Sequence, residues 1–417
     1  MIPICEALQA ILDRALPLEA EQIALTAAYG RILAEALHAV RDVPGFANAQ
    51  MDGWALRSAD VAGATSLNPR RLQITGRAAA GDPLPPRVMS GCAVRVFTGA
   101  PLPEGADAVV MQEVCRADAT DTSVRVGYAP ISGEFVRSAD DDLAAGSEVL
   151  EGGRALGPFE VALLASLGTE RLWVRRQPRV AIAVTGNELV PVGQPLSAGK
   201  IHDSNAWLLR GLVAEHGGTV VPLGIGTDEP AALATCLAAG LDCDILLTTG
   251  GVSVGDFDLV RPTLEGLGVE PVFWRVAQKP GKPLYFGMHG RTLVFGLPGN
   301  PVSAALCFLL HVAPALRRLG GRADVFAPLR QVRMAATVRS PEGVTEFIRC
   351  QVVEDGPVPS VRPAGTQSSA ALSVLAAAEF LAVVPIGRSE VESGQILDAL
   401  WIRPGLPWQG SFGLHGV

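Results

Sequence analysis

Residues 245–258 read "ILLTTGGVSVGDFD". An apolar run of strand composition breaks into paired threonines, then Gly250 and Gly251, Ser253, and two acids, Asp256 and Asp258. Glycines let a main chain approach a ligand closely, and successive amides form an anion-binding concavity. The glycine-lysine-serine ending of a nucleotide-hydrolysing loop is missing, and aspartates stand instead. Carboxylates repel a bare phosphate, whereas a hard cation such as magnesium takes carboxylate and phosphate oxygens together. The stretch therefore reads as a site for a metal-bridged phosphate or as an ordinary turn after a strand.

Its surroundings fix the fold class. "RVAIAVTGNELV" (179–190) reads as a buried strand and loop, "SNAWLLRGLVAEHG" (204–217) as a helix and "TVVPLGI" (219–225) as a strand. "EPAALATCLAAGL" (229–241) follows as a helix and "CDILLTTGG" (243–251) as a strand. This alternation predicts βαβ units, hence a doubly wound, mostly parallel sheet with helices on both faces. Ligands on such sheets sit beyond the carboxyl ends of the strands, where these loops leave.

The remaining texture predicts an α/β multidomain protein. Leu8, Ile11, Leu12, Ala15 and Leu16 stand at helical spacing, and "LTAAYGRILAEAL" (25–37) reads as a second helix. From about Val40 short β-rich pieces are cut by proline and glycine, as in a compact β domain with functional loops. Past Gly321 "QVRMAATVRS", "TEFIRCQVV" and "AEFLAVVP" predict a small separate β domain.

With 417 residues, several domains are expected. Hydrophobic residues at 48% and charged ones at 18% describe a packed chain rather than a disordered one. The net charge of -8, with no basic tract, gives no footprint for nucleic acid or an anionic membrane. Seven irregularly spaced cysteines without a C-x-x-C pair predict buried free thiols in a reducing compartment, the cytoplasm. Neither a signal peptide nor a spanning helix is visible in the sequence.

Further loops carry candidate chemistry. In "QKPGKPLYFG" (278–287) Lys279 and Lys282 flank a proline-glycine turn, reading as a clamp for a dianion or phosphate, or as a solvated turn. "GLPGNPVSAALCFLL" (296–310) breaks a strand at Pro298 and Gly299 and starts a helix near Asn300 and Pro301, offering amides and a dipole to an anion. Glu188 in "VTGNELV" and Asp228 in "GTDEP" end strands of the same sheet, and a helix cap suits either acid. Asp203 and Ser204 head a helix, while Asp52 in "AQMDGWAL" and Thr98 in "VFTGAPLPEGADAVV" stand at turns. No serine-histidine-acid arrangement, cysteine nucleophile or serine elbow is recognisable, so the chemistry implied is electrostatic positioning of oxyanions.

Together "MDGWAL", "VFTGAPLPEGADAVV", "TGNELV", "HDSN", "TTGGVSVGDFD", "KPGKPLYFG" and "GLPGNPVSA" resemble, in order and approximate spacing, the molybdopterin molybdenumtransferase family, which includes gephyrin's E domain. The resemblance implies insertion of molybdate into adenylylated molybdopterin with release of AMP, Mg2+ as cofactor, and a homodimer whose site lies between protomers. Other molybdenum cofactor biosynthesis proteins are implied as partners. It further implies a molybdopterin-binding sheet domain from 1–19 and 179–322 and a linking domain from 20–44 and 139–178. A β-rich lobe from 45–138 and a C-terminal β domain from 323–417 complete an elongated chain.

Site residues carry over by position. Asp52, Thr98, Glu188, Asp228 and Asp258 match catalytic positions, the last three as metal ligands. Gly250, Gly251, Val252, Ser253, Asp203, Ser204, Pro298, Asn300 and Pro301 match the substrate-binding loops. Lys279 and Lys282 match the molybdate lysines; "FIR" and "TQSSAALS" supply Arg349 and Ser369 or Ser368. Asn187 stands where many relatives have aspartate, and the serine segment lacks a histidine or arginine common in relatives. Two rival readings are a molybdopterin adenylyltransferase, built on a related sheet module, and a peptide-binding scaffold.

Overall fold

The computed structural model describes residues 1–120, 122–226, 229–251 and 259–403. Its central sheet and flanking helices are, in chain order, β1 (Arg179–Thr185), α1 (Asn205–Glu215), β2 (Thr219–Gly226), α2 (Pro230–Gly240) and β3 (Ile245–Thr249). There follow α3 (Val260–Gly266), β4 (Glu270–Trp274), β5 (Gln278–Lys279), β6 (Tyr285–His289), β7 (Thr292–Leu297) and the long helix α4 (Pro301–Leu319). The sheet order is β2-β1-β3-β7-β6-β4. The first four strands pair in parallel, and β6 alone runs the other way, antiparallel to both β7 and β4, which leaves the sheet mostly parallel.

Strand β1 shows why the sheet is buried on both faces. Val180, Ile182 and Val184 enter a core with Leu209 and Val213 of α1, Leu316 of α4 and Ile11 of the N-terminal helix Ile4–Leu12. Ala181 and Ala183 point the other way, against Leu233 and Leu237 of α2 and Val260 and Leu264 of α3. Side chains alternate along a strand, so covering both faces needs a continuous apolar run, which "VAIAV" supplies. Each fully buried Leu or Ile in these cores stabilises by roughly 1.5–3 kcal/mol.

Past the sheet, β8 (Leu329–Met334), β9 (Thr345–Glu354), β10 (Ser360–Pro363), β11 (Phe380–Val384) and β12 (Ile396–Trp401) pair in the ring β8-β10-β9-β11-β12. The expected small β domain is thus a closed barrel around Met334, Ile348, Phe380 and Leu397, and closure leaves no open sheet edge within it. Strand β5 adds to β9 in parallel, with Gln278 opposite Thr345 and Lys279 opposite Glu346. That short pairing sews the lysine hairpin to the barrel.

The β-rich lobe holds a six-stranded sheet in the order Ala108–Met111, Gly53–Leu56, Cys92–Val96, Arg70–Ala78, Ser123–Val126, Cys115–Ala117. Strands Ala20–Ala24 and Arg171–Arg175 pair beside helix Pro158–Ser166.

Several expectations need correction. The N-terminal helix ends at Leu12, leaving Ala15 and Leu16 beyond it. Residues 25–37 form only a short turn of helix, Leu25–Ala27, before Gly30 at φ 74 breaks the chain. Ile32 and Leu33 then bridge to Ala155 and Val174, so tertiary pairing overrides alanine's helix preference. All seven cysteines are free, but only Cys243, Cys307 and Cys350 are buried, and Cys5 is exposed. Helix α4 is long and apolar enough to span a membrane, yet 78% of its span is buried inside the protein, as in a core helix.

Candidate functional site

The chain runs from β1 to β2 on one side and returns to β3 on the other, so the strand order reverses between β1 and β3. Such a switch point opens a crevice beyond the carboxyl ends of the strands. Thr185 ends β1 and Thr249 ends β3; the Thr185 hydroxyl donates to the Thr249 carbonyl at 3.2 Å. Gly250 follows at φ 90, and a Cβ there would lie 2.6 Å from the Thr185 carbonyl oxygen, so glycine is required twice over. The Asn205 amide binds both the Thr249 hydroxyl (2.7 Å) and the Gly299 carbonyl (2.8 Å). This side chain, 7% exposed, ties the "HDSN", "TTGG" and "PGN" loops into one body. The sequence reading passed over it, although an asparagine at the start of a helix is a signal for such a tie.

Of the other residues expected here, Asp203 is buried and accepts from the Ala206 amide at 3.0 Å, so it caps α1 and is occupied by that role. Ser204 is the N-cap residue without a side-chain cap bond. Gly251 continues the turn in the left-handed region. Glu188 stands exposed past β1, its carboxylate folded back to 2.6 Å from where a Cβ on Gly186 would lie. Asp228, Val252, Ser253, Asp256 and Asp258 lie outside the described residues. The cap of α2 is Glu229, whose carboxylate accepts from the Ala231 and Ala232 amides.

The lysine hairpin lies at the same edge. Tyr285 of β6 is opposite Gly296 of β7, which places the turn before β6 beside the loop after β7. Lys279, Lys282, Pro298, Asn300, Arg349 and Ser369 all line one cavity of about 480 Å³. Under the hairpin, the Gln278 amide donates to the Gly281 carbonyl at 3.1 Å, and His311 Nε2 meets Gln278 Oε1 at 2.8 Å. Gly281 has φ 90, and a Cβ would come within 2.6 Å of Cys307 Sγ. A buried polar floor thus fixes the turn that aims the lysines.

The barrel supplies the opposite wall. Glu346, 5% exposed, accepts from the Lys279 ammonium at 2.8 Å, as the β5–β9 register dictates. Arg349, 1% exposed, donates to the Thr366 and Ser368 carbonyls at 3.4 and 3.2 Å. Burial pulls its guanidinium below the ordinary value and nearby Glu346 pulls it back up; an arginine stays charged regardless. The Lys282 ammonium has no hydrogen-bond or ion-pair partner among the described residues and is exposed at the cavity. Ser369, not Ser368, lines the cavity, and its hydroxyl accepts from the Asn300 amide at 3.0 Å. Its carbonyl takes the Val302 amide (3.1 Å), so the helix start beyond Pro301 offers an anion one donor fewer than its sequence suggests.

Asp52 and Thr98 form a separate unit. Gly53 is opposite Val96 in the lobe's sheet, which brings the two preceding and following loops together. Thr98 donates to Asp52 Oδ1 from both its amide and its hydroxyl, each at 2.8 Å. These bonds, the amide's first, hold the Asp52 carboxyl below the usual carboxylate range. Neither residue lines the lysine cavity.

Among the described residues no group of three or more His, Cys, Asp or Glu is placed to hold a metal. Of the expected metal ligands, Glu188 is the one that lies among the described residues. A second cavity of about 500 Å³ runs between α1, α4 and the barrel. Leu212, Leu309, Phe326 and Leu375 make its walls mainly apolar, and none of the expected site residues lines it.

Comparison with known proteins follows the same geography. Residues 2–168 match the MoeA N-terminal region (domain I and II), 181–318 a probable molybdopterin binding domain, and 331–401 the MoeA C-terminal region (domain IV). The molybdopterin molybdenumtransferase of Nostoc is 36% identical over 383 residues, 90% of this chain and 87% of the relative. Those of Haemophilus influenzae and Bacillus subtilis are 34% and 33% identical, over 91% and 96% of this chain and 93% and 94% of theirs. The chain belongs to the molybdopterin molybdenumtransferase family. A solved molybdopterin biosynthesis MoeA protein of Pyrococcus horikoshii superposes with a TM-score of 0.85 at 28% identity, covering 97% of this chain and all of that one. Within the family match, the cavity lies where the molybdopterin-binding and C-terminal regions meet, since Lys279 and Lys282 come from one and Arg349 and Ser369 from the other.

Proposed function

We propose that the chain inserts molybdate into adenylylated molybdopterin with release of AMP, the last step in making the molybdenum cofactor. The observation that carries this reading is the cavity in which Lys279, Lys282, Arg349 and Ser369 converge. Molybdate is a tetrahedral dianion; two ammoniums, a guanidinium and a hydroxyl match its charge and its acceptor oxygens. The adenylylated pterin lies along the crevice at Gly250 and the Pro298–Asn300 loop, which Asn205 holds against the cavity. Donors fixed before the substrate arrives stabilise developing charge without reorganising.

A divalent cation, Mg2+, is assigned to Glu188 with Asp228 and Asp258, and would supply charge neutralisation at the phosphoanhydride. The working unit is a cytoplasmic homodimer in which Asp52 and Thr98 of one protomer face the partner's crevice. The exposed setting of Thr98 and the absence of both residues from the lysine cavity support this. The chain divides into a sheet domain (1–19, 179–322), a linking domain (20–44, 139–178), a lobe (45–138) and the C-terminal domain (323–417).

The test is AMP release from adenylylated molybdopterin with a divalent cation, with and without molybdate. Release that depends on molybdate, and that fails in Lys279→Ala while pterin binding is kept, is the expected result. Equal loss of pterin and molybdate affinity in that variant counts against the assignment. ATP consumption without molybdate would instead favour an adenylyltransferase.

A further inference from the structure

The two lysines of the cavity are held in different ways. Glu346 fixes the Lys279 ammonium at 2.8 Å, whereas the Lys282 ammonium has no partner among the described residues, so its own main chain sets its aim. That main chain is pinned at two successive carbonyls. The Lys282 carbonyl accepts from the Val276 amide at 3.0 Å. The Gly281 carbonyl accepts from the Gln278 side-chain amide at 3.1 Å and from Cys307 Sγ at 3.3 Å. Gln278 is fully buried, and a Cβ on Gly281 would lie 2.9 Å from its Nε2, so the turn is closed tightly over this side chain.

The support for Gln278 comes from α4. Between Val302 and Leu316 the helix is apolar except at Ser303, Cys307 and His311, and side chains four residues apart form one row along a helix. All three are buried. Ser303 begins the row in the cavity wall, and His311 ends it under Gln278. Residues Phe308–Val312 wind as a π-turn, a local widening frequent at functional sites, and His311 stands within it. The Gly281 carbonyl needs a donor, so the Gln278 nitrogen faces it and the Gln278 oxygen faces the ring; the imidazole therefore donates from Nε2. Its Nδ1 is buried with no partner among the described residues. An unpaired buried nitrogen is costly, and an apolar side chain at 311 would avoid the cost.

We propose that His311 and Gln278 are positioning residues for the oxyanion site: acting through the Gly281 carbonyl, they hold Lys282 in its aim at the cavity. This rests on the reading of the cavity as the molybdate site. It makes α4 a splint that carries the cavity wall at its start and the brace of the hairpin two turns later.

Molybdate and pterin affinities of the full chain by calorimetry, with AMP release at varied molybdate, test this. His311→Leu keeps the bulk and removes the donor. It is expected to raise the KM for molybdate about tenfold, the effect of one lost hydrogen bond, while kcat at saturating molybdate and pterin affinity stay within about twofold. His311→Gln, which restores a donor, is expected to recover most of that loss. In a Lys282→Ala background His311→Leu is expected to add less than about twofold, because residues that act through one group are not additive. Unchanged molybdate affinity in His311→Leu, equal loss of pterin affinity, or a full tenfold loss on top of Lys282→Ala overturns the proposal. The wild type alone supplies a further check: nitrogen NMR is expected to find the proton of His311 on Nε2, and a proton on Nδ1 instead overturns the brace without any variant having to fold. Molybdate binding that is absent, or that is unaffected by Lys282→Ala, overturns the parent reading of the cavity instead.

Discussion

Asp52 in the lobe and Glu346 in the cavity wall are both carboxylates beside a strand end, yet their settings are opposite. Asp52 has both Thr98 donors on one oxygen and stands near water, a fixed negative charge at neutral pH. Glu346 is buried, holds Lys279 with one oxygen and keeps the other buried with no hydrogen-bond partner among the described residues. The first offers its charge to whatever docks against the lobe; the second uses its charge to hold a cavity lysine in place. A lobe acid held near the surface and a buried cavity acid that holds a lysine divide exterior from interior.

The strongest way to break this division is through the cation beneath the cavity. Arg349→Met keeps the volume but removes the cavity's buried cation and leaves the Thr366 and Ser368 carbonyls without their donor, a loss of about 1–3 kcal/mol for each acceptor left unsatisfied. Molybdate affinity by calorimetry is expected to fall about 100-fold or more, while the lobe's melting behaviour is unchanged. Affinity within a few-fold of wild type would mean that the cavity is not where the oxyanion sits.

Next in size is complementation between the two regions. Asp52→Ala and Lys282→Ala are each expected to lose most AMP release. If the lobe of one protomer serves the partner's crevice, a mixed dimer of the two variants carries one intact site. Co-refolding or co-expressing them then restores up to about a quarter of wild-type activity, since half the dimers are mixed and each has one working site of two. No recovery would place Asp52 and Lys282 in the same protomer's site.

Much of this geography was legible because it is local. The continuous apolar runs of β1 and β3, the helices between them and the loops at their carboxyl ends all follow from periods and punctuation within short windows. The lysine hairpin could be recognised from its own proline and glycine. What escaped notice depends on pairings between distant segments. Glu346 becomes a cavity residue only because β5 lies parallel to β9 in one register. Asn205 matters because Gly299 comes within its reach, and the choice between Ser369 and Ser368, left open by the sequence, turns on the approach of Asn300 to Ser369. Residues 25–37 look helical until Val174 and Ala155 claim Leu33 and Ile32.

The smallest effect compares the two regions under acid. His311, beneath the hairpin, is fully buried and its pKa is pushed down to about 3 by that burial. Its imidazole is neutral in the folded protein, and above an unfolded value near 6.5 the unfolded chain is neutral too, so nothing is lost there. As pH falls below 6.5 the unfolded chain binds a proton that the folded one refuses, and stability drops by about 1.4 kcal/mol per pH unit until the folded value is reached. Asp52 behaves later: its depressed folded pKa adds stability above the ordinary aspartate value near 4, lost only as pH falls through the folded value. Hydrogen exchange read by region between pH 7 and 5 is therefore expected to rise at 278–284 and around His311 while the lobe segments at 52–56 and 92–98 stay protected. In His311→Gln, which keeps a donor for Gln278 without a titrating ring, the hairpin is expected to lose this acid sensitivity. Equal loosening of both regions in the wild type would show that the floor under the lysines is no more acid-sensitive than the lobe.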